Sequence, residues 1–245
     1  MISGGFYITR AISRPSGLGD ALLPERLLTL SACLTDLIPD WWALEWASCS
    51  GEERLVAMAR IGLPAEALPA VVRLATNAFN RGELGWPCVW QSSSAARTAL
   101  AALNLPSDFI IVELGVPANE ATALIAKLEP PAGVGECGFL TRLKAGSALE
   151  HSAGAIGWEV LGVEDGGSFH SWLCNSIHDE AHNKRNIRPG QLGLLSTEED
   201  ARSVEALIDG GLGAEPVPWF RGVLSRLEVA TATSRELRAP GQGAH

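Results

Sequence analysis

A mixed β-sheet covered by several helices, of the α/β or α+β class, is the fold this sequence predicts. Three observations carry the prediction. The chain has 245 residues with 47% apolar content, enough to bury a sizeable core and to exclude intrinsic disorder over most of its length. Short apolar or aromatic runs of strand type alternate with runs at helical spacing. No period of about 20–50 residues recurs, so solenoids and propellers are excluded.

In chain order, Phe6 to Thr9 reads as a short strand ending before the turn-rich run Ser13 to Gly19. Pro24 to Leu37 repeats apolar residues at helical spacing and is expected to be a helix. Asp40 to Ala47 (DWWALEWA), bounded by Pro39 and Ser48, is aromatic-rich and expected to be a strand. Ser50 and Glu53 have the spacing of a capping box, whose hydroxyl and carboxylate satisfy free amides ahead of LVAMARIGL. A helix is expected there, or a second strand pairing with the first. Pro69 to Phe79 and Ser94 to Leu103 have helical patterns, the second preceded by serines able to cap it. Asp108 to Glu113 (DFIIVE) reads as a buried strand and Ala118 to Leu128 as a helix.

Glu129 to Gly138 (EPPAGVGECG) is the densest Pro/Gly cluster in the middle of the chain. The organisation expected is one globular unit over 1–229, or two halves at 1–130 and 138–229, followed by a flexible tail at 230–245 rich in Ala, Thr, Ser, Gly and Pro. Within the second part, Gly157 to Val163 is strand-like, Phe169 to Asn183 helical and Leu192 to Leu195 a short strand. Thr197 opens a helix to about Ile208, with Glu198, Glu199 and Asp200 favouring its positive end. Pro216 to Leu227 is mixed.

A formal charge of −9, from 28 acidic and 19 basic residues, argues against a phosphate-neutralising nucleic-acid binder, which needs a basic stripe. An acidic chain suits a basic partner. Cysteines 33, 49, 88, 137 and 174 are odd in number and form no CxxC pair, so neither a disulfide framework nor a zinc ribbon is indicated. No basic segment leads into an apolar stretch at the start, and no run of about 18 apolar residues occurs, so a cytoplasmic protein without a membrane span is expected. GVGECG matches G-x-G-x-x-G in form, but EPPA precedes it where a strand belongs and no clear helix is expected behind it; no cofactor is expected. P-loop and nucleophile-elbow motifs are absent.

The most distinctive stretch, SFHSWLCNSIHDEAH, sets His170, Cys174, His178 and His182 four residues apart. On one helix, adjacent members would share a face, while the first and last would differ by about 120° in azimuth and lie about 18 Å apart. His178 and His182 with Cys174 could then ligate zinc, or Cys174 could act as a nucleophile with His170 or His178 as its base. The blander reading is that these histidines are solvated or capping and that Trp172 and Cys174 are core, because a Cys–His pair on one helix has no oxyanion hole or orienting third group. No catalytic residue and no metal site is assigned as the first choice.

Carboxylates flank this stretch: Glu164 and Asp165 before it, Asp179 and Glu180 within it, and Glu198 and Glu199 after it. With His170 and Trp172 they form the candidate partner-binding set, because an acidic surface steers a basic partner and indoles anchor interfaces. Half or more of the eight tryptophans are expected in the core, and Asp40-Trp41-Trp42 and the segment Trp86 to Trp90 are alternative anchors. Residues 157–219, with the HSWLCN hexapeptide, the following helix, a Gly-Leu-Leu strand and the acid-capped helix, resemble immunity proteins that accompany bacterial polymorphic toxins. The resemblance implies a cytoplasmic protein without turnover that neutralises a cognate, basic toxin by occluding its active cleft. The alternative class is a Cys/His hydrolase or zinc enzyme centred on Cys174, His178 and His182.

Overall fold

In this computed structural model the structure describes residues 1–16, 18, 22–35, 37–38, 51–128, 135–150, 154–174, 176–211 and 213–227. The expected strand at Asp40 to Ala47, Ser50 of the capping box, most of the Pro/Gly cluster and the tail lie outside them. The architecture is α+β: among the described residues, a curled antiparallel sheet of seven strands with seven helices.

Among the described residues the strands are β1 (Ile2–Thr9), β2 (Ile12–Ser13), β3 (Arg26–Leu27), β4 (Leu84–Gly85), β5 (Val89–Trp90), β6 (Ile110–Val116), β7 (Ala155–Val163), β8 (Phe169–Ser171) and β9 (Trp219–Leu227). The main sheet runs β4-β5-β1-β6-β9-β7-β8, and β2-β3 form a separate ribbon. The helices are α1 (Gly51–Arg60), α2 (Leu68–Asn80), α3 (Ser93–Leu103), α4 (Ala118–Lys127), α5 (Gly138–Ala145), α6 (Ile177–Arg185) and α7 (Glu198–Asp209). Strands β1 and β4 to β6 come from the first candidate half and β7 to β9 from the second. They meet in one sheet through the β6–β9 ladder, in which Glu113 lies opposite Ser225.

Both sheet faces are apolar, because alternate residues of the central strands point to opposite covering layers. Tyr7, Val112, Leu114, Leu161 and Phe220 meet α4 and α5 on one face. Phe6, Ile8 and Ile111 meet α1 to α3 on the other, and Val160 and Trp172 share a third cluster with α6 and α7. Helix starts follow local chemistry: the Ser92 hydroxyl accepts from the Ala95 amide at 3.2 Å, and the Thr197 hydroxyl accepts from Asp200 at 3.0 Å. Of the two readings of LVAMARIGL the structure has the helix, α1.

Several sequence expectations are corrected. Pro24 to Leu37 is not a helix: Arg26–Leu27 pairs in the ribbon and residues 28–30 are neither helix nor strand. Residues 27 to 31 are buried without a break, and Leu27 packs in one cluster while Leu28 and Leu30 pack in another. One helical face cannot do that; a strand-like segment threaded between two cores can. Phe169 to Asn183 is likewise not one helix. Phe169–Ser171 is an edge strand on β7, a tight turn buries Trp172 to Cys174, and α6 starts only after Ser176, whose φ is +58°.

Leu192 to Leu195 holds a 3-10 turn at Gln191–Gly193, and Leu195 makes one isolated bridge to Trp158. Pro216 to Leu227, read as mixed, contains the nine-residue central strand β9. A helix does follow Gly138: a Cβ on Gly85 would fall 2.4 Å from the Gly138 Cα, so α5 packs backbone to backbone against β4. The Gly138 amide bonds the Trp86 carbonyl at 2.7 Å and is not offered to a phosphate. Among the described residues no single helix is long and apolar enough to cross a membrane.

Candidate functional site

The distinctive stretch places its residues on three elements, and strand pairing decides what each one meets. Phe169 and Ser171 are buried, so by alternation His170 points to the other face of β8. The β7–β8 turn is tight: the Gly167 amide bonds the Glu164 carbonyl at 2.8 Å with φ +87° at Gly167, and Glu164 N bonds Ser168 O at 3.0 Å. That turn holds Glu164 beside His170, with Nε2 2.9 Å from Oε1. On its other side His170 Nδ1 is 3.4 Å from the exposed Cys33 Sγ and 3.7 Å from Glu215 Oε1.

Across the sheet, Gly162 lies opposite both His170 on β8 and Trp219 on β9, so these two residues share a face. A Cβ on Gly162 would sit 2.8 Å from the Trp219 ring. Glycine therefore lets the indole lie across β7 in the same row as His170. The Trp219 N–H bonds the Glu215 carbonyl at 3.0 Å, which fixes the backbone that carries Glu215. Beyond Trp219 a cleft of about 150 Å³ is lined by Glu120, Glu205, Asp209 and Lys127.

Beneath this edge a buried polar network ties the Thr29–Cys33 segment to β7 and β8. Fully buried Glu159 accepts hydrogen bonds from the Thr29 hydroxyl, from Ser171 Oγ at 2.7 Å and from the Leu30 amide at 3.2 Å. The Ser31 amide donates to the Thr29 hydroxyl at 3.0 Å, and Ser31 Oγ lies 3.7 Å from Cys174 Sγ. Burial pushes the Glu159 carboxyl up to about 7, against the lowering effect of the Thr29, Ser171 and Leu30 hydrogen bonds.

A second carboxylate group stands on the β9 side. Arg221 pairs with Glu120, with Glu205 at 2.7 Å and with Glu198 at 3.3 Å, and its own amide donates to Glu120 at 2.8 Å. The Arg221 contact should lower the Glu120 carboxyl, yet the carboxyl stands raised, at about 7. Burial is the leading cause, and Glu205 and Glu198 add repulsion because three carboxylates share one guanidinium.

The partner set predicted from sequence separates accordingly. Glu164, Asp165 and His170 come together at the end of the β7–β8 hairpin. Trp172 is fully buried and anchors nothing outside. Asp179 and Glu180 lie on α6, where Glu180 pairs with Lys184 at 3.1 Å. Glu198 is engaged by Arg221 and by Arg202 at 3.1 Å, whereas Glu199 is exposed on α7. Cys33, Glu215 and Trp219 belong to the edge and were not in the sequence set; only a carboxylate and an indole near one another at 215–219 could have suggested the last two.

In the alternative set, Cys174 lies in the turn before α6, whereas His178 and His182 lie on α6. His170 and Cys174 fall on different elements, so the four-residue spacing does not make one helical face. Cys174 is buried and its thiol is pushed up by desolvation, which disfavours the thiolate. His178 is buried, and desolvation lowers its imidazole and favours the neutral ring. Among the described residues no group of three or more His, Cys, Asp or Glu could hold a metal ion.

Another thiol, that of Cys33, faces the His170 imidazole, which in turn contacts Glu164. Its neighbouring amides are occupied: Cys33 N donates to Ser31 Oγ at 3.3 Å, and Leu34 N and Thr35 N donate to Ser31 O at 3.2 and 3.1 Å. The oxyanion donors that acyl transfer would require are therefore not supplied by this turn. Neither a family model, nor a curated protein, nor a solved structure matches this chain.

Proposed function

We propose that the protein is an immunity-type inhibitor, cytoplasmic, that neutralises a cognate basic toxin by laying its acidic edge over the toxin's active cleft. One observation carries this reading: Glu164 and Glu215 flank His170 in the same row as the partly buried Trp219, which packs on the third core cluster. Carboxylates steer and orient a basic partner, and a rigid indole fixed by a backbone hydrogen bond supplies a low-entropy anchor. The acidic cleft beside Trp219 would take a lysine or arginine of that partner. The occupied amides around Cys33 and the raised thiol of Cys174 agree with a protein that binds without turnover.

The test is co-expression with the product of the adjacent gene. A stoichiometric complex and protection of cells against that product are expected, both lost in the Glu164→Lys/Glu215→Lys double variant. Absence of a complex and of protection with the unaltered chain would overturn the reading. A second reading, thiol chemistry at Cys33, has the 3.4 Å and 2.9 Å contacts of His170 in its favour. It requires that Cys33→Ser abolish function, whereas an inhibitor retains protection with that substitution.

A further inference from the structure

Cys33, His170, Glu164 and Glu215 form a cluster of one thiol, one imidazole and two carboxylates, whose thiol the toxin-inhibitor reading leaves unused. Three separate segments bring it together: the turn from Ser31 to Thr35, the end of the β7–β8 hairpin and the approach to β9. The Cys33 thiol is exposed, and its Sγ lies 3.4 Å from His170 Nδ1, within reach of an S–H···N hydrogen bond. The other ring nitrogen, Nε2, is 2.9 Å from Glu164 Oε1. That contact favours the tautomer with its proton on Nε2 and leaves the Nδ1 lone pair to accept from the thiol. Glu215 Oε1 stands 3.7 Å from Nδ1, so carboxylates attend both nitrogens of the imidazolium that forms when the thiol proton is taken.

We propose that Cys33 is a site of oxidation by hydrogen peroxide, with His170 as its proton acceptor and donor. The thiol proton passes to Nδ1, the sulfur attacks one peroxide oxygen, and the O–O bond breaks as the S–O bond forms. The departing hydroxide takes the proton from Nδ1 and leaves as water. Sulfur is thereby oxidised by two electrons to the sulfenic acid, and the peroxide is reduced. No oxyanion hole is needed, because the developing charge sits on an oxygen that the imidazolium protonates. The flanking acids select the oxidant: they repel an anionic disulfide or an anionic organic peroxide, whereas hydrogen peroxide is small and uncharged. Cys137 and Cys174 stand in contrast, buried and with thiols pushed up by desolvation. The reaction is stoichiometric and independent of partner binding, so its outcome is separate from that of the toxin-inhibitor reading.

Brief treatment of the full chain with hydrogen peroxide in the presence of dimedone, which traps sulfenic acids, tests this when followed by peptide mass spectrometry. Cys33 is expected to be labelled, and the buried Cys88, Cys137 and Cys174 are not. The folded chain should label Cys33 at least about tenfold faster than the same chain unfolded in urea, where His170 is no longer held beside it. His170→Gln should lose that advantage, with an unlabelled Cys174 reporting that the variant is folded; the comparison with urea stands without any variant. Cys33 left unlabelled, labelled no faster in the folded chain than in urea, or labelled at an unchanged rate in folded His170→Gln would overturn the proposal.

Discussion

The acidic edge at His170 and a cleft where the β2–β3 ribbon meets the end of α1 stand on two sides of one short segment. Cys33 faces His170, and the next two residues, Leu34 and Thr35, line the cleft. The same backbone thus separates an edge where carboxylates flank His170 from a cleft lined by Arg10, Arg26, Arg60 and Asp108. Which charged side chains meet at each flank is set by the fold and not by the net charge of −9.

The largest effect available is at the core beneath the edge. Trp172→Ala removes a fully buried indole and should destabilise the chain by about 3–5 kcal/mol, measured by denaturant unfolding. A cost below about 1 kcal/mol would mean that Trp172 is a surface anchor after all and that the division between core and edge is drawn in the wrong place.

Next in size is the buried carboxyl that ties the segment down. The Glu159 carboxyl stands at about 7 in the folded chain against the 4.5 of an ordinary glutamate, so the folded state holds the proton more tightly. Its contribution is fully present below about pH 4.5 and is lost as pH rises through 7, a change of about 3 kcal/mol. Glu120, also at about 7, adds a loss over the same window. Unfolding measured from pH 4.5 to 8 should show stability falling as pH rises, with a shallower fall in Glu159→Gln that retains the Glu120 part. An unchanged slope in that variant would show that Glu159 is not the titrating group.

At the surface, Trp219→Ala should weaken partner binding by about 2 kcal/mol, measured by calorimetric titration against the purified partner. An unchanged affinity would remove the indole from the interface. Smaller still, Glu164→Gln should reduce partner affinity by about 1 kcal/mol or less, chiefly as a slower association that fades at high salt, because this carboxylate is half exposed. Thiol labelling separates the two sides of the segment in another way: Cys33 should react with a maleimide in the native state, while Cys174 reacts only after unfolding.

Local signals in the sequence were legible and contacts over long separations were not. Thr197 with three following acids gives α7, serines ahead of an apolar run give α3, and DFIIVE gives the core of β6. Each depends on residues within about four positions of one another. The stretch from His170 to His182 has helical spacing, yet Trp172 to Cys174 are all buried and Ser176 adopts a left-handed conformation, so a strand and a turn precede the helix. Leucines between 24 and 37 have helical spacing too, but they serve two different cores.

The acids at 164–165 and His170 were found because a hairpin joins them locally. Cys33, 137 positions from His170, was not, and Glu215 and Trp219 sat in a segment whose Arg221, Gly222 and Ser225 obscured its strand pattern. Arg221 is tolerated in that central strand because Glu120, Glu205 and Glu198 partner it, a compensation visible only once helices α4 and α7 are in place. The arginine cleft draws residues from positions 10, 26 and 60, a pattern with no signature in sequence spacing.

The most direct measurement is the affinity of the full chain for the purified product of the adjacent gene, with and without Glu164→Lys/Glu215→Lys. A tight one-to-one complex, weakened at least about tenfold by the double charge reversal and by added salt, is the result expected of an acidic edge that occludes a basic cleft. Binding of undiminished strength in the double variant would place the interface elsewhere on the molecule and contradict the account.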